Sequence, residues 1–333
     1  MEFTRDQKPS HERCLLVSGQ RDEGPFLMDW VLYHRLIGFD DILIFSNDCS
    51  DGSDLLLDRL DQHGLVTHVR AKPNAETAPQ SHVAQLTKNH TLYSEADWVL
   101  WLDSDEFLNI HLGKGHVTNL TAAIAPKQGM ILNWRIFGDG GQPEWDYSAP
   151  TIAQFPRAAS AGSYVNDPVK CLFRKTRSIK RLYVHRPVFW PKARAELTMI
   201  DCDGDTVPDD MLFSKRGNGM PTKDYPKPAR TFALAQVNHY AVRTYDVFQL
   251  KKYRGSATRP MSHGQDARGH RYRQAFWDRR NCNDVEDRTI MRHLPALSEA
   301  LSDALAVPDI RDAHMACCDF MRERIARLKD DQN

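Results

Sequence analysis

Two carboxylates, Asp103 and Asp105, stand two positions apart at the end of the stretch ADWVLWLDSDEF, residues 96–107, with Glu106 beside them. Side chains two apart on an extended chain point to the same side, so the pair can face one hard cation or a metal held on phosphate. A solvent-exposed turn uses the same residue types, and spacing alone does not separate the two. The preceding run, residues 98–102, is short, apolar and aromatic-rich. That predicts a strand buried on both faces of a mixed or parallel sheet, where ligands sit at the carboxyl ends of strands. Other chemistry-bearing residues are spread along the chain: His239 in VNHYAV, the basic run LKKYRG with Lys252 and Arg254, and the glycine-rich acidic loop WRIFGDGGQPEWD with Asp139 and Glu144.

The elements that must position these groups follow from the pattern. Residues 14–19, CLLVSG, read as a first buried strand running into the charged turn at 20–24. Pro25 suits the first turn of a helix, and Phe26, Leu27, Trp30, Val31, His34 and Ile37 recur at three- and four-residue spacing until Gly38. DILIFS, residues 41–46, is a second strand; Ser53 is placed to cap the next helix, whose Leu56, Leu57 and Leu60 form a stripe ending near Gly64. Residues 65–70 give a third strand, residues 80–94 a weaker helix, and residues 98–102 the fourth strand. This alternation predicts an α/β sandwich with a largely parallel sheet, its loops after Gly19, Ser46 and Leu102 opening on one edge. Farther on, residues 129–138, 169–175, 181–189 and 232–242 read as strands, 203–228 as a long surface loop, and 284–330 as terminal helices with no evident chemistry.

The 333 residues suffice for a sizeable core, and 44 basic and 44 acidic side chains cancel, so no global field favours nucleic acid or an anionic membrane. No apolar run approaches the roughly 18 residues of a spanning helix, and the N-terminal segment has no hydrophobic signal core. A cytoplasmic protein with no transmembrane segment is expected, with peripheral association to a membrane-bound polysaccharide machine left open. Seven dispersed cysteines without a C-x-x-C pair fit reduced thiols better than a disulfide framework or a zinc site.

The segment SGQRDEGPFLMDWVLYHRLIGFDDILIFSNDCSDGSDLLLDRL together with ADWVLWLDSDEF resembles the nucleotide-sugar-binding half of family 2 type glycosyltransferases of the GT-A fold, especially the bacterial branch related to family 92. The ordered succession R-D-E-G, D-x-S-D-G-S, D-x-D-E-F carries the resemblance, strongly over residues 14–110 and more faintly over 129–256. It implies a Rossmann-like α/β sandwich with a mixed, mostly parallel sheet over 14–256, a flexible arm at 1–13 and a C-terminal helical extension at 257–333. It implies a metal-dependent hexosyltransferase that moves a sugar with inversion from a nucleotide-diphosphate sugar, a UDP-sugar favoured, to a carbohydrate acceptor. In such an enzyme Asp105 and Asp103 would hold Mn²⁺ or Mg²⁺ on the diphosphate, and His239 would complete the metal shell. Arg21 and Glu23 would wall the nucleoside, Asp48 would reach it, and Lys170, Lys252 and Arg254 would meet the leaving diphosphate; LKKYRG resembles the family's K-x-x-R-G tail. Asp139 is the candidate base, with Glu144 and Asp146 behind it, although the family usually shows a small residue at this point. Trp134 and Trp145 are candidates to stack on sugar faces, Trp134 fitting the core better.

IDCDGDTV, residues 200–207, is similar to the D-x-D-G-T motif of haloacid-dehalogenase-type phosphatases, but has an extra Asp before Thr206 and no early apolar strand before it. As a calcium loop it has Thr206 where the glycine belongs and Leu212 where the closing glutamate belongs. It reads as a surface loop. Two other functions stay open: a haloacid-dehalogenase-like phosphohydrolase using Asp103 as nucleophile and Asp105 as acid, and a catalytically inactive sugar-nucleotide-binding protein.

Overall fold

The computed structural model describes residues 11–72, 77–215, 221–254 and 273–330, apart from the side chains of residues 252–254. Most of the expected N-terminal arm and the start of the expected C-terminal extension lie outside the described residues. The principal strands are, in chain order, β1 (Cys14–Gln20), β2 (Asp41–Ser46), β3 (Thr67–Arg70), β4 (Trp98–Trp101), β5 (Glu106–Ile110), β6 (Gly129–Ile136), β7 (Val169–Arg174) and β8 (Ala235–His239). They lie in the order β3-β2-β1-β4-β7-β6-β8-β5, and a two-residue strand, Ile200–Asp201, joins β6 to make nine. The β1–β2, β2–β3, β1–β4 and β6–β8 pairs are parallel; β7 runs antiparallel between β4 and β6, and β5 antiparallel to β8. This is the mixed α/β sandwich expected from the sequence, its parallel half reversing strand order at β1.

The helices used below are α1 (Gly24–Leu36), α2 (Ser53–Gln62), α3 (Pro79–Lys88), α4 (Tyr245–Arg254), α5 (Leu294–Leu305) and α6 (Pro308–Asp330). Every residue of α1 from Gly24 to His34 is buried, because the helix is covered on one side by the sheet and on the other by α5 and α6. A helix that is apolar nearly all round requires such enclosure. Two apolar clusters fill the two faces of the sheet: α1, α2, α5 and α6 on one, α3 with the segment around Val184 and Phe189 on the other.

Several expectations change. Ser53 does not cap α2: Gly52 takes the cap position at φ 85°, and Ser53 donates its hydroxyl to Asp51. The helix expected over 80–94 is two, α3 and a short one at Thr91–Glu95. Of residues 181–189 only the ends pair, as Ile179–Arg181 against Val188–Phe189. The described parts of the expected surface loop, residues 203–215 and 221–228, are pinned, because the buried Arg186 guanidinium donates to the carbonyls of Thr222, Leu212 and Ser214 at 2.7–2.8 Å. In the IDCDGDTV loop the ammonium of Lys227 sits 2.7, 2.9 and 2.7 Å from carboxylates of Asp201, Asp203 and Asp205, so the protein supplies its own cation. β5 itself was not anticipated, since Glu106 and Asn109 break its apolar pattern. All seven cysteines are free thiols. No helix among the described residues is long and apolar enough to cross a membrane.

Candidate active site

β1 and β4 run side by side to the same edge of the sheet. Leu102 N–H donates to the Val17 carbonyl (3.1 Å) and the Ser18 hydroxyl donates to the Leu102 carbonyl (2.6 Å), which fixes the point at which Asp103 leaves the sheet. The loops carrying Arg21 and Asp103 thus open where strand order reverses, the crevice in which open α/β sheets bind ligands.

Asp105 is the most heavily engaged of the predicted residues. β8 pairs with β5 so that His239 lies opposite Glu106, and the Tyr240 N–H donates to the Asp105 carbonyl at 2.8 Å. That register brings His239 Nε2 to 3.5 Å from Asp105 Oδ1, while Lys251 Nζ donates to Asp105 Oδ2 at 3.0 Å. Burial alone would raise the Asp105 pKa; Lys251, His239 and Arg243 overcome it and hold the carboxyl well below the usual range. Burial lowers the pKa of His239 against the opposing effect of Asp105, which favours the neutral imidazole, the form that ligates metals. Its ring meets Trp134 edge-on at 4.2 Å.

Asp103 turns the other way. Antiparallel pairing of β7 with β4 carries Lys170 to it, and this fully buried lysine lies 3.1 Å from Asp103 Oδ2 and 2.8 Å from Glu106 Oε2. Glu106 also accepts from the Asp103 N–H at 2.8 Å. Burial, reinforced by Asp103 and Asp105 and opposed by Lys170, pushes Glu106 up to about 8.

A carboxylate and an imidazole 3.5 Å apart fit a divalent cation such as Mn²⁺, since adjacent ligands on an octahedral ion lie about 3 Å apart. Asp105 and His239 pass that test as a pair; Asp103 faces Lys170 and does not converge with them. Among the described residues the group of three potential ligands within 4.8 Å of one another is Asp22, Cys49 and Asp51 instead. Two of its members are occupied: Asp51 accepts from Gly24 and Ser53 N–H groups, both at 2.9 Å, and Asp22 from Ser50 N–H at 2.6 Å.

Glu23 is buried at the start of α1 and takes Arg243 Nη1 at 3.1 Å; the same guanidinium donates to the Ser104 carbonyl and lies over the Phe26 ring. Arg243 thereby ties the loop after β1 to the loop after β4. Arg21 lies 3.7 Å from Asp22, and Asp48 is exposed after β2 at φ 47°. A cavity of about 410 Å³ opens beside these loops, lined by Arg21, Asp22, Glu23 and Lys251 among others. Asp139 accepts from Gly141 N–H (3.0 Å) in its own loop and from Asn283 Nδ2 (3.2 Å) of a distant segment, and Glu144 is exposed against Lys329 at 2.6 Å. Trp134 and Trp145 are both buried. Lys252 and Arg254 end α4, and their side chains lie outside the described residues.

Sequence reasoning chose Lys252 and missed its neighbour. Val247 and Lys251 are both buried, one helical turn apart, and that period assigns Lys251 to the inner face of α4. The K-x-x-R-G spacing that contains Arg254 also begins at Lys251. Arg243 carried no comparable signal.

No family model matches the chain. It is 31% identical over 111 residues to a glycosyltransferase family 92 protein of Ricinus communis, a match covering 33% of this chain and 19% of that protein. It is 22% identical over 250 residues to a glycosyltransferase family 92 protein of Arabidopsis thaliana, covering 74% of this chain and 38% of that one. The matches therefore span well under half the length of these relatives. The solved structure of S. aureus TarS 1–349 covers 96% of this chain and 92% of its own, at 12% identity and a TM-score of 0.33, a likeness too low to bear on function. Over these stretches the sequence is similar to glycosyltransferase family 92 proteins.

Proposed function

We propose that the protein transfers a hexosyl unit, with inversion, from a nucleotide-diphosphate sugar to a carbohydrate acceptor, with a UDP-sugar as the favoured donor and Mn²⁺ or Mg²⁺ as cofactor. The observation that carries this reading is the Asp105–His239 pair, 3.5 Å apart at the carboxyl end of β4 and backed by Lys251. The sequence relationship to family 92 supports it.

In this reading Asp105 and His239 hold the divalent ion, and Asp103, oriented by Lys170, borders the ribose and diphosphate. The ion, when bound, acts as a Lewis acid for the departing diphosphate. Arg21 and Asp48 contact the nucleoside, while Glu23, held by Arg243, fixes the loop they stand on. The acceptor oxygen attacks the anomeric carbon opposite the diphosphate, the carbon–oxygen bond to phosphate breaks, and the bonding pair leaves with the nucleotide. Asp139 takes the proton from the acceptor hydroxyl. Lys251, already beside Asp105, supplies fixed positive charge near the leaving group.

Nothing favours the phosphohydrolase alternative: Asp103 would be its nucleophile, yet it follows the fourth strand of the chain and faces Lys170. The test is calorimetry with a panel of nucleotide sugars, with and without Mn²⁺. The expected result is metal-dependent binding that Asp105→Ala weakens at least about tenfold. Binding indifferent to both metal and substitution would overturn the proposal.

A further inference from the structure

The C-terminal helix α6, which showed no chemistry in sequence, forms a wall of the cavity beside the β1 loop. Its buried stripe of Cys317, Met321 and Ile325 packs onto the N-terminal half of the chain. The contact is close: a Cβ on Gly24 would lie 2.4 Å from Cys317 Sγ. Docked there, α6 presents Phe320, Arg324, Arg327 and Leu328 to the cavity. These fall at three- and four-residue spacing, on a single helix face.

The charges lining the cavity are unequally available. Glu23 is bound by Arg243, and Asp51 and Asp22 accept hydrogen bonds from their own loops. Lys251 is held by Asp105. Arg324 and Arg327 are exposed; Arg324 lies over the Phe320 ring at 5.3 Å, and among the described residues Arg327 makes only a 3.6 Å surface pair with Glu323. Such an exposed pair is worth little and exchanges readily for a better anion. Arg21 lies against Asp22, and the further offer to a ligand is the two guanidiniums of α6 beside the apolar Pro25, Phe26 and Leu250. That suits an anion with an apolar or aromatic body, and guanidinium is well matched to phosphate oxygens.

We propose that Arg324 and Arg327 bind the diphosphate of the donor nucleotide, so that α6 is part of the donor site. The proposal rests on the glycosyltransferase reading above. It is tested on the full chain by calorimetry with UDP, GDP and dTDP, each beside its parent nucleoside, in Mn²⁺. For the diphosphate that binds best, Arg324→Ala/Arg327→Ala should weaken binding by about tenfold or more while the nucleoside's affinity stays within about twofold. Arg324→Lys/Arg327→Lys should recover part of the loss, and an unchanged melting temperature should accompany both exposed double variants. Equal loss for nucleoside and diphosphate, or no loss for either, overturns the role of α6 and leaves the donor reading standing. Failure of the wild-type chain to bind any nucleoside diphosphate overturns the donor reading itself, and this proposal with it.

Discussion

His239 faces Asp105 across 3.5 Å because β8 runs antiparallel to β5, which places His239 opposite Glu106 and turns its imidazole toward the loop that carries Asp105. The two residues meet through sheet register, not through chain proximity. If they hold a cation together, His239→Ala should lower Mn²⁺ affinity about 10–100-fold while leaving the far-ultraviolet circular dichroism spectrum unchanged. Titration of Mn²⁺ by electron paramagnetic resonance reads this directly; an unaltered affinity would remove His239 from the metal site.

Asp139 is the proposed base, and the hydrogen bonds it accepts from Gly141 and Asn283 hold its loop. Asp139→Asn keeps a hydrogen-bonding oxygen but cannot take a proton. Transfer should fall by about 10²–10⁴ in kcat with donor affinity retained. Glu144→Gln, by contrast, removes an exposed pair to Lys329 and should leave turnover within about twofold. Normal turnover in the Asp139 variant would assign the base elsewhere.

Acid should destabilise the fold through His34. This buried imidazole contacts the Trp30 carbonyl through Nδ1 at 2.8 Å and accepts from the Leu108 N–H through Nε2 at 3.3 Å. Burial lowers its pKa from 6.5 to about 3. Between those values the unfolded chain carries one more proton than the folded one. The His34 contribution to stability is therefore intact above pH 6.5 and is lost, at ~1.4 kcal/mol per unit, as pH falls toward 3. His34→Gln should flatten that acid limb in a melting-temperature profile, at a cost of about 1–3 kcal/mol near neutrality. An acid limb equally steep in the variant would refute the assignment.

Lys227 is shared by three carboxylates, one of them, Asp201, wholly buried. Lys227→Met should destabilise the protein by about 3–5 kcal/mol, since a buried charge loses its partner. Millimolar Ca²⁺ should raise the variant's melting temperature and not that of the wild type. A variant as stable as the wild type would show that the cluster contributes little.

The parallel half of the sheet could be read because buried strands such as DILIFS are continuous apolar runs bounded by turn residues, and β2 matches that reading residue for residue. β5 escaped because Glu106 and Asn109 are buried polar residues inside it, paired with Lys170 and Thr289 from distant segments. Asp103 and Asp105 drew attention by type and spacing, yet their division between Lys170 and Lys251 depends on which strands and helices lie alongside. The role of α6 in lining the cavity was equally hidden, because amphipathic spacing says that a helix docks without saying where.

The approach of Gly24 to Cys317 has a consequence for how the molecule folds. It joins the beginning of α1 to the middle of α6, so the cavity between them is closed by contacts separated by most of the chain. Contacts of that range form late, after the loop-closure entropy of the intervening segments has been met. A partly folded chain can have a finished sheet and still lack the pocket, so a small molecule bound there senses completed folding and stabilises only the fully assembled state.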